Sequence, residues 1–364
     1  MKTKMFTLIL GLLFFCSNSF AKIFRVGFTG TPLAGVDYTF AAAVSNANAG
    51  DTIQIYGNVT NGNATISKKL VILGFGYNLD VHPNLQVNNT NAPSSIDGIF
   101  FGPGSDGSVI KGVSCNSFQA GDYYSTGTAM SDITFERCYG DFLLFHRPGG
   151  GLLSNVKIIS CAGNNVQMYD GANGVGVTNL QIYNSIFNQI SLYNSATSAY
   201  IINCASYNGP GNTLYLTDAQ VQVKNCIIYS HDYYNTNTNT IYENNFFGES
   251  QPNPLPPGSN NRWGQNWAAI FNRLGGIDDL PGYPGQAVFD ENYYLLKSGS
   301  PAKNGGFDAS NNPTDCGIFG GEAAYKYIVS GIPPIPAIYQ LTPPADPKVT
   351  TNPYNVTISV RSNN

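Results

Sequence analysis

The chain has 364 residues, 42% of them hydrophobic and only 11% charged, with 40 glycines, 23 tyrosines and a formal net charge of −4. An ordinary chain carries roughly 25% charged residues. Surface polarity must therefore come from amides and hydroxyls, which suits many short strands joined by tight turns. The hydrophobic share excludes disorder for most of the chain, and the lack of any basic run excludes nucleic acid as a partner.

Residues 1–21 read as an export signal. Lys2 and Lys4 open it, Met5 to Phe15 is apolar but too short to span a bilayer, and Ser19-Phe20-Ala21 offers small residues at the cleavage positions. Cys16 is an alternative point of lipid attachment, against which the bulky Phe14 and Phe15 count. No later segment is apolar enough to cross a membrane. A monomer that is secreted, periplasmic or held at the cell surface is expected.

Residues 37 to 50 read as a helical cap. Asp37 is placed to cap a short helix, Phe40, Ala43, Val44 and Ala47 share one face, and Gly50 ends it. Strands follow at Asp51 to Tyr56 and Leu70 to Leu73. Beyond them a repeat sets in, with cysteine as its ruler. The steps are 23 from Cys115 to Cys138, 23 to Cys161, 43 to Cys204 and 22 to Cys226, and Ser185 fills the double step. Five residues before the ruler stand Ile133, Val156, Leu180, Ala199 and Val221. Three before it stand Phe135, Ile158, Ile182, Ile201 and Val223. Two apolar columns with polar residues between them predict a strand with one buried face.

Asn184, Asn203 and Asn225 directly precede the ruler, and Asn tolerates the left-handed backbone of a sharp bend. A second alternating strand follows each bend, with inward pairs assigned to Leu143/Phe145, Val166/Met168, Ile190/Leu192 and Leu214/Leu216. Stacking such turns at ~4.8 Å gives parallel sheets around one apolar core. Adjacent cysteines would lie close enough to bridge, yet Ser185 shares their column, which favours free buried thiols. The fold expected is all-β: a right-handed parallel β-helix over 22–321, with a Pro-rich tail or small β-appendage over 322–364. Near its end, a short helix is expected around Trp267 to Leu274. Trp263 and Trp267 read as loop anchors over the core, with sugar stacking as the alternative. A last rung is expected from about Val288 to Phe319, and strand-like pieces at Ala337 to Leu341 and Val356 to Val360.

The opening helix, Gly50-Asp51-Thr52-Ile53 and Leu70-Val71-Ile72-Leu73-Gly74-Phe75-Gly76 resemble the first turns of exported bacterial pectin-lyase-like β-helix proteins. Leu296-Lys297-Ser298-Gly299-Ser300-Pro301-Ala302 and Asp315-Cys316-Gly317-Ile318-Phe319-Gly320-Gly321 resemble their close. The likeness covers roughly 24–321. It is specific for fold and weak for activity, because that group mixes lyases, hydrolases, epimerases and proteins without known catalysis.

The resemblance implies a substrate lying along an outer sheet face. The position after the inward pair holds His146, Tyr169, Tyr193 and Thr217, and the next holds Arg147, Asp170, Asn194 and Asp218. Three after the ruler stand Phe118, Asp141, Asn164, Asn188, Tyr207 and Tyr229. Aromatic faces for sugar rings, with amides and acids for hydroxyls, are what glycan binding needs. Tyr193, Asn194, Tyr215, Asp218, Asp141, Asn164 and Tyr207 are the expected binding residues for a polysaccharide or cell-surface glycan.

The first reading is a glycan-binding or surface-structural protein without catalysis. The alternative is a polysaccharide lyase, or a glycoside hydrolase, acting on an acidic polymer. A lyase would use His146, Arg147, Tyr169 and Asp170, with Ca²⁺ held by Asp170 and Asn194. A hydrolase needs two carboxyls ~6.5–9.5 Å apart, and Asp170 and Asp218, two rungs apart, would be about 10 Å apart at their backbones. Against catalysis, Arg147 and Asp170 also make an ordinary surface ion pair, worth at most ~1 kcal/mol. The paired-Asp, Gly-His-Gly and Arg-Ile-Lys series of polygalacturonases is missing, as is the Arg-x-Pro-x-x-Arg pattern of classical pectate lyases. No cofactor is expected.

Overall fold

Alternation with one apolar face makes each first strand of the repeat a half-buried strand, and these strands pair in order along the chain. A computed structural model describes residues 21–27, 37–56, 62–79, 95–120, 129–145, 152–169, 176–193, 195–206, 214–229, 239–252, 254–272, 290–332, 337–342 and 357–361. Among these, the chain forms a twelve-stranded, a ten-stranded and a three-stranded parallel sheet. In the middle of the chain each repeat visits all three in the same sequence. Leu153–Ser154, Lys157–Ile159 and Ala162–Tyr169 are followed by Val177–Thr178, Leu180–Tyr183 and Ile186–Tyr193.

From Cys138 onward the register is the one the ruler implies, but Cys115 is not part of it. Tyr139 pairs with Ser114, so Val113 holds the ruler's place in that rung, after a bend at Gly112 with φ +64°. Phe135 pairs with Ile158, Ile158 with Ile182, Ile182 with Ile201 and Ile201 with Val223. All five are buried, as is the column that ends at Val221. They face Val166, Met168, Ile190, Leu192, Leu214 and Leu216 of the ten-stranded sheet in one continuous core. At ~1.5–3 kcal/mol per buried large aliphatic or aromatic side chain, this column is the main force holding successive repeats together.

One inward pair is corrected. Phe142 and Leu144 point inward in place of Leu143, and they pair with Val166 and Met168; Phe145 is described by its backbone alone. An irregularity between Tyr139 and Phe142 shifts the register there by one residue. Phe118, expected outside, lies in the core and stacks on Phe142 with ring centroids 5.0 Å apart. Phe118 stands five past Val113, as Val166 stands five past Cys161 and Ile190 five past Ser185, so it faces inward once the rung is counted from Val113, whereas Phe142 is displaced by the irregularity.

The bends form as their residue types require. Arg137, Ser160, Asn184, Asn203, Asn225 and Asn244 all have φ between +47° and +57°, and four of these six are asparagine, which enters the left-handed region at low cost. The ruler side chains stitch consecutive bends together. Cys161 Sγ accepts the N–H of Cys138 at 3.4 Å, Cys226 Sγ that of Cys204 at 3.4 Å, and Asn245 Oδ1 that of Cys226 at 2.8 Å. Cys138, Cys161, Cys204 and Cys226 also donate to the carbonyl two residues back, that of Glu136, Ile159, Ile202 and Lys224, whereas Cys115, off the column, donates forward to Ser117 O. Cys115, Cys138, Cys161, Cys204, Cys226 and Cys316 are all buried and free.

The ends are closed as follows. A helix at Phe40–Asn46 buries Phe40, Ala43 and Val44, but its cap is Thr39, whose hydroxyl accepts the Ala42 N–H, rather than Asp37. Asp51 ties the turn beyond it by accepting the N–H groups of Lys22 and Asn48. At the other end Trp263 stacks on Phe247 with centroids 4.0 Å apart, and Trp267, in the short helix Trp267–Ile270, is buried. Both tryptophans therefore anchor loops. Ala337–Thr342 and Thr357–Arg361 pair as an antiparallel hairpin.

The expected last rung does not form. Residues 301–332 run back along the column of bends as a strap. Asn225 donates to Phe307 O, Asn203 to Asp315 O, Asn184 to Ile318 O, Ser160 to Tyr325 O and Arg137 to Ile332 O, all at 2.8–3.0 Å. Side chains one position past the ruler (Ala162, Ile186, Ala205 and Ile227) pack under the strap with Ile318, Tyr327 and Trp267 as a second core. Glycines let the strap lie this close: a Cβ at Gly321, where φ is +74°, would sit 2.6 Å from Asn203 Oδ1. Glu291, fully buried, accepts from Asn78 Nδ2 and from the Ser330 N–H, and so fastens the strap's far end.

Candidate functional site

The outward ledge on the ten-stranded sheet is only partly described. His146, Arg147, Asp170, Asn194 and Tyr207 lie outside the described residues, and Tyr169 is described by its backbone alone. In register, Phe145 is the residue beside Tyr169, so the alignment that put His146 in that column is off by one. Tyr193 and Tyr215 do come together, with ring centroids 5.3 Å apart at 64°. Tyr193 is half-buried against the core, and burial raises its phenol pKa. Asp141 and Asn164 sit on the neighbouring rungs, half-buried. Asp141 Oδ1 accepts the Asn165 N–H at 3.1 Å, and burial, its largest influence, raises the carboxyl pKa. Asp218 is an exposed bend residue at φ +58°, placed there by the turn it makes.

A better-formed concavity lies elsewhere. Where the strap crosses the outward face of the twelve-stranded sheet, it leaves a groove of about 370 Å³, within the ~300–1,000 Å³ of small-ligand sites. Its floor is the outward side of three successive strands: Tyr183, then Tyr200 and Ile202, then Gln222 and Lys224. Its wall is the strap, with Phe307 and Asp308 at one end and Glu322 and Tyr325 at the other. Tyr200 and Phe307 are 41% and 37% exposed, unusual for rings that size, and both face the same groove.

The chemistry is graded along the groove. Tyr183 and Tyr325 approach with centroids 5.1 Å apart. Burial, then the nearby tyrosines and Glu322, push the Tyr183 phenol up to about 12, so it stays neutral and able to donate. At the other end, hydrogen bonds from Asn312 backbone and side chain and from the Ser310 N–H hold the Asp308 carboxyl below its ordinary range, with the Lys224 ammonium adding to the effect. Gln222 Nε2 reaches Glu243 Oε2 at 3.4 Å. The arrangement offers ring faces, a phenol, an amide and ionised groups, and no nucleophile aligned with a base.

The groove lies on the outward columns of the first strand, whereas the outward ledge expected from the sequence lies on the second. The signal was present in the first strand: Tyr183, Ile202 and Lys224 stand two before the ruler, and Tyr200 and Gln222 four before it. The strap that turns those positions into a groove leaves no periodic trace. Among the described residues no three His, Cys, Asp or Glu gather as a metal site, and no helix is long and apolar enough to cross a membrane. No protein-family model matches the chain, and no curated protein matches it in sequence.

Proposed function

We propose that the chain is an exported, glycan-binding protein built as a right-handed parallel β-helix of pectin-lyase-like kind. The fixed order in which repeats visit parallel sheets supports the helix, and parallel crossovers are right-handed in about 98% of cases. The signal-like opening and the resemblance of the first and last turns support export and kinship. The observation that carries the function is the groove in which Tyr183, Tyr200, Tyr325 and Phe307 present rings beside Gln222 and Lys224. Aromatic platforms flanked by amides and charges fit the alternating apolar faces and hydroxyl edges of sugars.

Affinity electrophoresis and calorimetry of the full chain against a polysaccharide panel test this reading. Tyr200→Ala with Phe307→Ala should weaken binding at least about tenfold with only a modest loss of thermal stability, because each ring is partly exposed, at 41% and 37%. Unchanged affinity removes the groove as the site. Release of unsaturated uronates would instead show a lyase, and its loss on substitution of His146, Arg147, Tyr169 or Asp170 would place the activity on the ledge.

A further inference from the structure

The groove's charges say which glycans it takes. Its lining carries one ammonium, Lys224, and two carboxylates, Asp308 and Glu322. The acids outnumber the ammonium two to one, so the lining is net negative. Lys224 stands on the floor beside Glu243 in register, which adds a third acid near the same end. At the opposite end Glu322 is the one formal charge, beside the phenols of Tyr183 and Tyr325. A uronate chain laid along the floor would bring a carboxylate on every residue toward Glu322 and Asp308, with a single ammonium, Lys224, set against those two acids. The chain as a whole carries −4 and adds to that field.

Resting on the groove as a glycan site, we infer that it selects uncharged glycans and rejects uronate polymers by like-charge repulsion. Neutral sugars lose nothing to this field. Their ring faces stack on Tyr200 and Phe307, and their hydroxyls meet the Gln222 amide and the Tyr183 phenol. Rejection by placed like charges is a recognised route to specificity.

The test measures the full chain against neutral polymers (a mixed-linkage glucan, a galactomannan, a xylan) and against polygalacturonate and alginate. Neutral polymers should bind, and uronates should bind at least about tenfold more weakly at ~0.15 M salt, with the gap narrowing at ~1 M, where screening shortens to about 3 Å. Asp308→Asn with Glu322→Gln should narrow the ratio of neutral to uronate affinity toward one. Uronates binding as tightly as neutral polymers, or a double variant that leaves that ratio unchanged, overturns the selectivity and leaves the groove standing. Failure of every polymer to bind overturns the groove reading itself.

Discussion

Ser185 Oγ accepts the backbone N–H of Cys161 from the preceding rung at 3.0 Å while donating to the Tyr183 carbonyl at 2.7 Å. It does with a hydroxyl what its neighbours in the column do with thiols, and Asn245 does the same with an amide. The column therefore selects a short side chain that both accepts and donates, and apolar character is secondary.

That equivalence fixes an order among variants. Cys161→Ala leaves the Cys138 N–H buried without its acceptor, a loss of about 1–3 kcal/mol. Cys161→Ser keeps an acceptor and should cost less than half as much. Ser185→Ala should behave like Cys161→Ala. Urea unfolding midpoints of the three variants check this, and equal midpoints for Cys161→Ala and Cys161→Ser would refute the ladder.

The same burial governs reactivity. Desolvation is the largest influence on Cys115, whose thiol is pushed up to about 12, and it raises Cys161, Cys204 and Cys316 as well. At pH 8 these groups are thiols, and the thiolate is the reactive form. The native protein should leave all six unlabelled by a disulfide reagent over minutes, and strong denaturant should expose all six together. Rapid labelling of two or more in the native state would contradict their burial.

The strap should depend on its bends. Asn203 combines φ +54° with donor bonds to Asp315 O and Gly317 O. Asn203→Ala loses both the bonds and the tolerance for that backbone, about 2–4 kcal/mol together. Asn203→Gly loses only the bonds and should fall between the alanine variant and the parent. Limited proteolysis within 301–332 should rise in the same order. Equal cleavage in all three proteins would mean that the strap is held by its apolar contacts alone.

What the sequence shows plainly is whatever recurs. Ile158, Ile182 and Ile201 can be aligned because each rung repeats the demand for a buried β-branched residue, and Asn184, Asn203 and Asn225 because each repeats the same bend. Non-recurrent features are illegible to a periodic argument. The bulge at Tyr139 to Phe142 moves one rung by a single residue, and its one mark is Gly140, at φ +152° and close against the Cys115 carbonyl, which a count from the ruler does not weigh. The closing run Asp315-Cys316-Gly317 reads as another rung because Cys316 imitates the ruler. In the structure Cys316 donates to Asn244 O from outside the stack, and the close approach permitted by Gly317, Gly320 and Gly321 is what docks the segment there.

The half-buried acid of the ledge gives a pH signature. Burial raises the Asp141 carboxyl in the folded chain above its unfolded value, near 3.9, so the native state binds more protons across that window. By linkage, this group makes stability fall as pH rises through the window, and the loss persists above it. Asp132 and Asp308, both lowered by hydrogen bonds, act in the opposite sense and lose their contribution as pH falls. The parent's own pH curve mixes these effects. The difference between parent and Asp141→Asn isolates one, because the asparagine keeps an oxygen for the Asn165 N–H and cannot ionise. The variant should be the more stable protein at pH 7, and the parent should gain on it as pH drops toward 4. Chemical unfolding at several pH values between 4 and 7 measures that difference. A flat difference would mean that the Asn165 N–H, with the other donors around this carboxylate, fully offsets the cost of burying its charge.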